Sequence, residues 1–399
     1  MFDLAICGGG PAGLATAIAA RQAGLSALVL ERAGQAPDKA CGEGLMPHGL
    51  RALGALGALS RLDPAACSPF RGIRYLLGDG RSVEGRFRHG DGLGVRRTAL
   101  SAALESRARE LGVELRRATV ESFVQSEDGV ELLATSAAAP AERIWARLLV
   151  GADGLQSKVR RLAGLEAPAK GPRRFGLRRH FHCAPWSELV EVHWGDGVEC
   201  YVTPAGAGRV NVAFLWDDGL RGAGPENAPG EAPEGVPEKP GFEALLARFP
   251  AVAERLGGAA AESESRGSGP LLRPVKARIG QRVALVGDAA GYIDAITGQG
   301  LSLALGSAIA LVGALDTGPA PRRLPAPEAG PPPARSLDVT ALPAALLRYH
   351  RSQRGPWLRY ALPARGLLLL AGRPRLRRAA LGLLSRSPRL FTTLLGLVG

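Results

Sequence analysis

The chain has 399 residues and a formal net charge of +13, with 46 % hydrophobic and 22 % charged residues. This length and composition predict a globular protein of two domains and exclude a disordered chain. The five cysteines include no C-x-x-C pair, which argues against a disulfide scaffold and against zinc or iron–sulfur sites, and favours a cytoplasmic protein. We expect no signal peptide, and no apolar run reaches the roughly 18 residues of a membrane span.

The first elements predict a βαβ unit. A strand over Phe2–Cys7 leads into a helix over Pro11–Gly24, and a second strand covers Ser26–Glu31. The intervening turn, Gly8–Gly13, has the pattern Gly-x-Gly-x-x-Gly, which allows a tight turn and lets a pyrophosphate approach the backbone at the helix N-terminus. An acidic residue that ends the second strand can accept hydrogen bonds from a ribose. The predicted contacts to the dinucleotide are Gly8, Gly10, Pro11, Ala12, Gly13, Glu31 and Arg32.

The middle of the chain predicts one helix followed mainly by strands. The helix covers Thr98–Leu111, and the next strands are Val113–Arg116, Val120–Gln125, Val130–Ala134 and Ile144–Val150. From Phe175 to Trp216 the pattern is mostly that of strands, and 221–241 is rich in Gly, Pro and Glu, as in a surface loop. A helix is predicted over Phe242–Leu256.

The last part of the chain predicts a strand over Arg282–Val286, a helix that ends near Leu315 and a Pro-rich loop over 316–340. The tail, 341–399, contains 11 Arg, no Lys and no acidic residue, and we expect helices broken at Pro356, Pro363, Pro374 and Pro388. Two interpretations remain open. Either its leucines pack on the rest of the protein with the arginines in water, or part of the leucine surface touches an anionic membrane. Arginine interleaved with leucine favours a peripheral location at the inner membrane face over a nucleic-acid partner.

Two later motifs resemble fingerprints of a known superfamily, the class A flavin monooxygenases and geranylgeranyl reductases with the hydroxybenzoate hydroxylase fold. They are Val150-Gly-Ala-Asp153-Gly154 with Ser157 and Arg160, and Val286-Gly287-Asp288-Ala289-Ala290. The resemblance covers roughly residues 1–315 and, more weakly, the tail. It implies non-covalent FAD with Asp288 on the ribityl chain and Arg97 near the pyrophosphate, with Arg96 as the competing choice. The further contacts predicted for FAD are Asp153, Gly287, Gly298 and Gly300.

The Gly298–Gly300 turn and Asp153 need separate comment. Gly298-Gln-Gly300 opens a helix whose free amides can stabilise negative charge on a reduced flavin. The superfamily normally has a proline before this turn, whereas this chain has Asp294-Ala295-Ile296-Thr297. Asp153 can instead be a structural turn residue.

The resemblance implies an α/β fold in which a Rossmann-like FAD domain carries an inserted, mainly antiparallel substrate sheet and is closed by C-terminal helices. We predict the FAD domain over 1–165 and 276–315, with some substrate-domain strands within 60–100, and the substrate domain over 166–275. The loop 316–340 and the basic helical region 341–399 complete the chain. The oligomeric state is left open.

The segment Cys41-Gly42-Glu43-Gly44-Leu45 resembles a motif of archaeal geranylgeranyl reductases. A thiol close to a flavin can donate a proton, so Cys41 is the candidate catalytic residue, the alternative being a packing cysteine in a loop that covers FAD. Against the reductase interpretation, Tyr201-Val-Thr-Pro204 lacks the aromatic residues of those enzymes, and Met46-Pro47 also differs. The histidines His180, His182 and His193 are predicted to be solvent-facing or substrate-lining, with no metal site.

The resemblance implies a monooxygenase in which NAD(P)H binds transiently and reduces FAD, and O₂ forms a flavin C4a-hydroperoxide. One oxygen atom then passes to an apolar-tailed aromatic or prenylated small molecule, plausibly in secondary metabolism. The first alternative is a reductase that saturates isoprenoid double bonds. A flavin-dependent halogenase is the next, although its Trp-x-Trp-x-Ile motif is absent. The sequence identifies neither the substrate nor a preference for NADH or NADPH.

Overall fold

The structure is a computed structural model that describes residues 1–33, 38–136, 139–220, 240–316 and 334–396. The strands within these ranges are β1 Phe2–Cys7, β2 Ala27–Glu31, β3 Gly44–Leu45, β4 Cys67–Phe70, β5 Gly72–Leu77, β6 Ser82–Arg86, β7 Gly92–Val95, β8 Glu114–Arg117, β9 Thr119–Gln125, β10 Val130–Ser136, β11 Ala139–Gly151, β12 Arg174–His182, β13 Val190–Trp194, β14 Val198–Pro204, β15 Arg209–Asp217, β16 Arg266–Ser268 and β17 Val283–Leu285. The helices are α1 Pro11–Gln22, α2 Pro47–Ala55, α3 Arg97–Glu110, α4 Lys158–Leu162, α5 Phe242–Leu246, α6 Pro250–Leu256, α7 Gly300–Leu315, α8 Leu342–Ser352, α9 Arg354–Ala371, α10 Pro374–Ser385 and α11 Pro388–Gly396.

The first sheet is the platform of the dinucleotide domain. Its strands run β8-β2-β1-β11 in parallel, with β17 beside the end of β11, and β10 and β9 extend it in antiparallel fashion. Leu4, Ala5 and Ile6 of β1 are fully buried, because Leu4 and Ile6 pack with the helices α1, α3, α7 and α8 and Ala5 packs with residues of β9, β10 and β11. The carboxyl ends of the parallel strands meet at one edge, where an open α/β sheet binds its ligand.

The second sheet, called here the substrate sheet, runs β16-β12-β15-β14-β13-β5-β6 and is antiparallel except where β13 pairs with β5. Successive side chains of a strand point to opposite faces. Along β14, Val198, Cys200 and Val202 pack in the apolar cluster formed with α5 and α6. The alternate residues of β14, beginning with Glu199 and Tyr201, therefore face the other way, and we call this the inner face.

The tail helices close the molecule. On α8, Leu342, Leu346 and Tyr349 are buried in the core of the dinucleotide domain, and the hydroxyl of Tyr349 donates to the carbonyl of Leu285 at 2.7 Å. The helices α9–α11 contribute to the apolar cluster on the inner face, where the rings of Tyr75 and Phe391 lie 5.7 Å apart. Within the described ranges, no helix has the length and apolarity needed to cross a bilayer.

Two helix predictions were wrong in detail. The segment Phe242–Leu256 is divided into α5 and α6 at Pro250, because proline is tolerated in the first turn of a helix and disfavoured in its interior. Conversely, α9 runs through Pro363, with Tyr360, Ala361 and Ala364 buried around it, and tertiary packing thus outweighs the lost hydrogen bond. Pro356 falls in the first turn of α9, where a missing N–H is tolerated.

The predicted fold class, an FAD-binding α/β domain with an inserted mainly antiparallel sheet and C-terminal helices, is confirmed. The strands β5 and β6, within 60–100, belong to the substrate sheet. Most of the predicted loops over 221–241 and 316–340 lies outside the described residues. The domain boundaries themselves stay a prediction.

Candidate active site

The glycine-rich turn joins β1 to α1 at the carboxyl edge of the first sheet. Gly8 has φ +110°, and a Cβ on it would lie 2.5 Å from the carbonyl oxygen of Ala152. A Cβ on Gly13 would collide with the Gly8 carbonyl. Gly10 differs, because the nearest atom to its Cβ position is Nη2 of Arg97 at 3.7 Å. Gly8 and Gly13 are thus required by the fold, whereas Gly10 leaves open space at the helix N-terminus, as a bound pyrophosphate requires.

The remaining residues predicted to contact the dinucleotide surround this turn. Pro11 and Ala12 form the first turn of α1 and are buried. The Glu31 carboxylate accepts from the backbone N–H of Gly9 at 2.6 Å and of Ala33 at 3.0 Å. Each carboxylate oxygen keeps a second lone pair for a ribose hydroxyl. Arg32 is exposed at the end of β2.

Two charged groups opposite the turn lack partners. The Nε atom of Arg97 is buried without a hydrogen bond, and the Asp288 carboxylate makes none with any described residue. Burial raises the pKa of Asp288, and the positive charges of Arg97 and Lys39 oppose the rise. A phosphate for the guanidinium and ribityl hydroxyls for the carboxylate would satisfy both groups, so these residues fit FAD.

Asp153 was predicted to contact the cofactor, but its carboxylate makes hydrogen bonds within the protein. Its carboxylate accepts from Ser157 Oγ at 2.5 Å and from the backbone N–H groups of Lys158 at 2.6 Å and Val159 at 3.0 Å, which caps α4. This geometry fits the structural alternative, and a direct FAD contact stays a prediction. The fully buried Arg160 donates to the Ala289 carbonyl at 3.3 Å and thereby joins the second fingerprint to the third.

The third fingerprint packs directly on α1. A Cβ on Gly287 would lie 2.8 Å from Cβ of Ala12, and Gly287 has φ +58°. Further along, Gly298 has φ +66° and Gly300 begins α7. Three polar atoms near the start of this helix are buried without a hydrogen bond, namely Thr297 Oγ1, Gln299 Nε2 and Ser302 Oγ. Unpaired polar atoms beside free helix amides fit the polar edge of a flavin ring.

The Cys41 segment covers the cleft. Its thiol sulfur accepts from the Glu43 backbone N–H at 3.3 Å, and its carbonyl accepts from Nδ2 of Asn211 on β15 at 2.8 Å. Burial raises the pKa of the Cys41 thiol, against the attraction of Arg97. The group is therefore a neutral thiol at physiological pH and can hold a proton.

A buried polar cluster, absent from the sequence predictions, anchors this segment. Glu43 is 1 % exposed and is the one non-glycine residue with positive φ, +58°, in the described part of the chain. Its Oε1 accepts from the Arg97 backbone N–H at 2.8 Å, and its Oε2 lies 2.7 Å from Nε2 of His180. Arg96 Nη1 lies 2.7 Å from the same His180 nitrogen. Arg96 thus contacts Glu43 and His180, which supports the prediction that Arg97 is the arginine near the pyrophosphate.

The sequence showed the residues of this cluster separately but gave no sign of their contact. Glu43 stands within the Cys41–Leu45 motif, and His180 occupies an inward position of a predicted strand, but no spacing rule joins residues 137 positions apart. The three histidines do not form one group. His180 is fully buried, the His182 side chain is 61 % exposed, and His193 lies 3.2 Å from the Glu191 carboxylate.

A second buried cluster stands at the junction of the inner face and the loop after the third fingerprint. Arg174 binds the carboxylates of Glu199 at 2.6 Å and Asp294 at 2.8 Å, and the hydroxyl of Tyr201 donates to the Ile296 carbonyl at 3.2 Å. Burial raises the pKa of Glu199 to about 7, against the attraction of Arg174. Asp294, in the segment that precedes the Gly298 turn, thus ties the flavin-side loop to the substrate sheet.

The inner face is apolar next to the tail helices, whereas His180 and Asn211 lie on the same face further along β12 and β15. Side chains from the sheet, the loop and the tail helices form one cluster, including Tyr75, Trp194, Ile293, Ile296, Tyr360, Ala364 and Phe391. Apolar residues around a few polar groups are typical of the surroundings of a small-molecule site.

Comparison with known proteins assigns the family. The sequence matches the FAD binding domain family over residues 1–217, more than half of the chain. The chain belongs to this family. Digeranylgeranylglycerophospholipid reductase 1 of Methanopyrus kandleri is 30 % identical to this FAD-binding protein over 331 residues, which cover 76 % of this chain and 77 % of the reductase.

Solved structures agree on the fold. The OxyS anhydrotetracycline hydroxylase of Streptomyces rimosus is 25 % identical with a TM-score of 0.71, covering 100 % of this chain and 75 % of the hydroxylase. The flavin-dependent brominase Bmp2, 17 % identical with a TM-score of 0.76 over 100 % of this chain and 93 % of its own, shares the fold.

The predicted superfamily and cofactor are therefore confirmed. The protein is an FAD-dependent oxidoreductase, and NAD(P)H is the electron donor typical of its family. The contacts of individual residues with FAD stay predictions that the geometry supports.

Proposed function

We propose that the protein is an NAD(P)H-using monooxygenase that inserts one oxygen atom from O₂ into an apolar-tailed aromatic or prenylated small molecule. The observation that supports this best is Glu199, which is buried beside Tyr201 at the edge of the apolar cluster on the inner face. Burial raises its pKa to about 7, so it can exchange a proton with a phenolic hydroxyl near neutral pH.

The reaction balances as one substrate C–H, O₂, NAD(P)H and a proton giving C–OH, water and NAD(P)⁺. Bound FAD supplies the activation of O₂. In this chain, Gly10 and Arg97 would hold its pyrophosphate and Asp288 its ribityl hydroxyls. The N-terminal amides of α7 would stabilise negative charge on the reduced ring. The apolar cluster on the inner face and α9 would exclude water from the reacting atoms.

The structural likeness to the hydroxylase of Streptomyces rimosus, at 25 % identity over the whole chain, supports a hydroxylation. The brominase shares too little sequence to support more than the fold. We place the enzyme in the cytoplasm and its reaction in secondary metabolism.

The second candidate is a reductase that saturates isoprenoid double bonds, favoured by the neutral thiol of Cys41 over the cleft and by the archaeal reductase relative. In that reaction an alkene, NAD(P)H and a proton give the saturated product and NAD(P)⁺. Cys41 would hold the proton that reaches the second carbon.

Oxygen separates the two candidates. FAD-loaded protein is incubated with NAD(P)H and a panel of prenylated phenols or polyprenyl lipids, in air and under anaerobic conditions, with product measured by mass. We expect one O₂ consumed per molecule of hydroxylated product and no product without air. A saturated product formed equally well without O₂ would overturn the monooxygenase proposal. Peroxide is measured in parallel, because O₂ uptake without product is uncoupled oxidation.

A further inference from the structure

The outer sides of α9, α10 and α11 carry leucines that stand in solvent. Seven of them are more than two-fifths exposed, namely Leu358, Leu362, Leu369, Leu376, Leu383, Leu390 and Leu394. Those on α9 are spaced by four and seven residues, so they form one stripe along the helix. A surface helix normally buries its apolar side and exposes its polar side. Exposed apolar patches mark interaction sites.

Arginines stand among these leucines. Exposed examples are Arg359 and Arg365 on α9, Arg375 and Arg378 on α10 and Arg389 on α11. The sequence after 340 contains no acidic residue to neutralise them. Among the tail residues that the structure describes, Arg377 lies 3.2 Å from Asp196, and the positive charge of Arg378 interacts electrostatically with Asp79. We call this combined surface the leucine–arginine face.

We propose that the leucine–arginine face docks on the surface of an anionic lipid bilayer. Leucines would enter the boundary of the acyl chains and arginines would lie among the phosphates, since a basic amphipathic helix binds in this way. The charge decides between partners, because a second copy of the chain would bring the same uncompensated positive charge to the contact. A nucleic acid would match the arginines and leave the leucines in water.

The face lies one helix away from the cleft. On the opposite side of α9, Trp357 and Tyr360 line a cavity of about 30 Å³ together with Asp288, Gly291 and Tyr292. Docking would therefore place hydrocarbon next to the helix that closes the flavin site, which suits an apolar substrate dissolved in the bilayer. The inference does not depend on which of the two reactions the flavin performs.

Vesicle flotation tests the proposal with full-length, FAD-loaded protein. The vesicles contain phosphatidylcholine alone or phosphatidylcholine with phosphatidylglycerol. We expect binding to the anionic vesicles at low ionic strength and release at about 1 M salt, where the Debye length falls to about 3 Å. The double variants Leu358→Gln/Leu362→Gln and Arg359→Gln/Arg365→Gln should each reduce binding roughly tenfold.

Matched controls carry the same changes on the dinucleotide domain. Val124→Gln/Leu133→Gln removes two exposed apolar side chains and Arg117→Gln/Arg161→Gln removes two exposed charges, and both should leave flotation unchanged. All the substituted side chains are exposed, so FAD content and melting temperature should match the wild type. Absence of flotation, or equal losses in tail and control variants, would overturn the proposal. So would a lipid-free dimer that the leucine variant dissociates.

Discussion

Oε2 of Glu43 lies 2.7 Å from Nε2 of His180, and solvent reaches neither side chain. This pair joins the segment over the cleft to the substrate sheet, and the backbone of Glu43 adopts the left-handed conformation to make it, at φ +58°. A strained backbone held by a buried carboxylate indicates that the position of the Cys41 segment is set by this contact.

Glu43→Ala should lower the free energy of unfolding by about 3–5 kcal/mol, because it leaves Arg96 and His180 buried without their carboxylate. Chemical denaturation measures the change, and FAD content should fall with it. The control is Glu264→Ala, since the Glu264 side chain is 81 % exposed and its loss should cost less than about 0.5 kcal/mol. Glu43→Gly should be about 1 kcal/mol more stable than Glu43→Ala, because glycine adopts positive φ freely. Equal effects at positions 43 and 264 would contradict the anchoring role.

Gly10→Val should abolish FAD retention and leave the fold intact. A side chain at this position meets only Arg97 in the absence of cofactor, but it would occupy the space for the pyrophosphate. Gly8→Ala should unfold the protein, because its Cβ would strike the Ala152 carbonyl. Flavin absorbance and thermal melting separate the two results. Full FAD occupancy in Gly10→Val would show that the pyrophosphate binds elsewhere.

Asp288→Asn should weaken FAD binding by about 10–100-fold, corresponding to roughly 1–3 kcal/mol, because an NH₂ donor replaces one of the two carboxylate oxygens that would accept from ribityl hydroxyls. The FAD-free protein should be no less stable than the wild type, because burial raises the pKa of Asp288 and its charge is unfavourable in the empty cleft. Titration calorimetry gives the affinity. An unchanged affinity would mean that the third fingerprint is misassigned.

Glu199 should make stability depend on pH. Its pKa is raised to about 7 in the folded protein, so the folded state holds this proton more tightly than the unfolded chain does. Stability is therefore lost as the pH rises from roughly 5 through 7. Glu199→Gln should remove this pH dependence. The stability of the variant relative to the wild type should therefore increase as the pH rises from roughly 5 to 7.

Denaturation at each pH measures the effect, with Glu188→Gln as the control. The pKa of Glu188 is lowered by its hydrogen bond to Arg86, so its contribution is complete above the ordinary carboxylate range and constant across the same window. Parallel stability curves for wild type and Glu199→Gln would contradict the buried-proton interpretation.

The substitution Cys41→Ser is a second test that distinguishes the two candidate reactions. In a monooxygenase the substitution should be mild, with product formation reduced less than about tenfold. In a reductase it should slow turnover strongly while NAD(P)H still reduces the flavin at nearly the wild-type rate. Stopped-flow flavin reduction and product yield are measured on the same FAD-loaded samples. Severe loss of product with normal FAD content would count against hydroxylation.

Local patterns were enough for the elements that carry the cofactor. The strand Phe2–Cys7 was predicted with its observed bounds, and Gly13 is required by its contact with the nearby Gly8. Gly8 is required by its positive φ and by the carbonyl of Ala152, which is distant in sequence. The tail was harder, because Pro363 lies inside α9 while Pro374 and Pro388 begin new helices. Helix propensity alone does not tell whether the cost of a proline inside a helix is outweighed by the burial of the residues beside it.

The sequence by itself determined the βαβ opening, the three fingerprints and hence the FAD-binding fold, since each depends on residues a few positions apart. Only the tertiary structure decided that Asp153 caps α4, that Arg97 rather than Arg96 is free for a phosphate, and that the leucines of α9 include an exposed stripe. It also decided the two buried clusters around His180 and Arg174, which join residues up to 137 positions apart. Burial and charge pairing depend on what the folded chain brings together, and no local spacing encodes that.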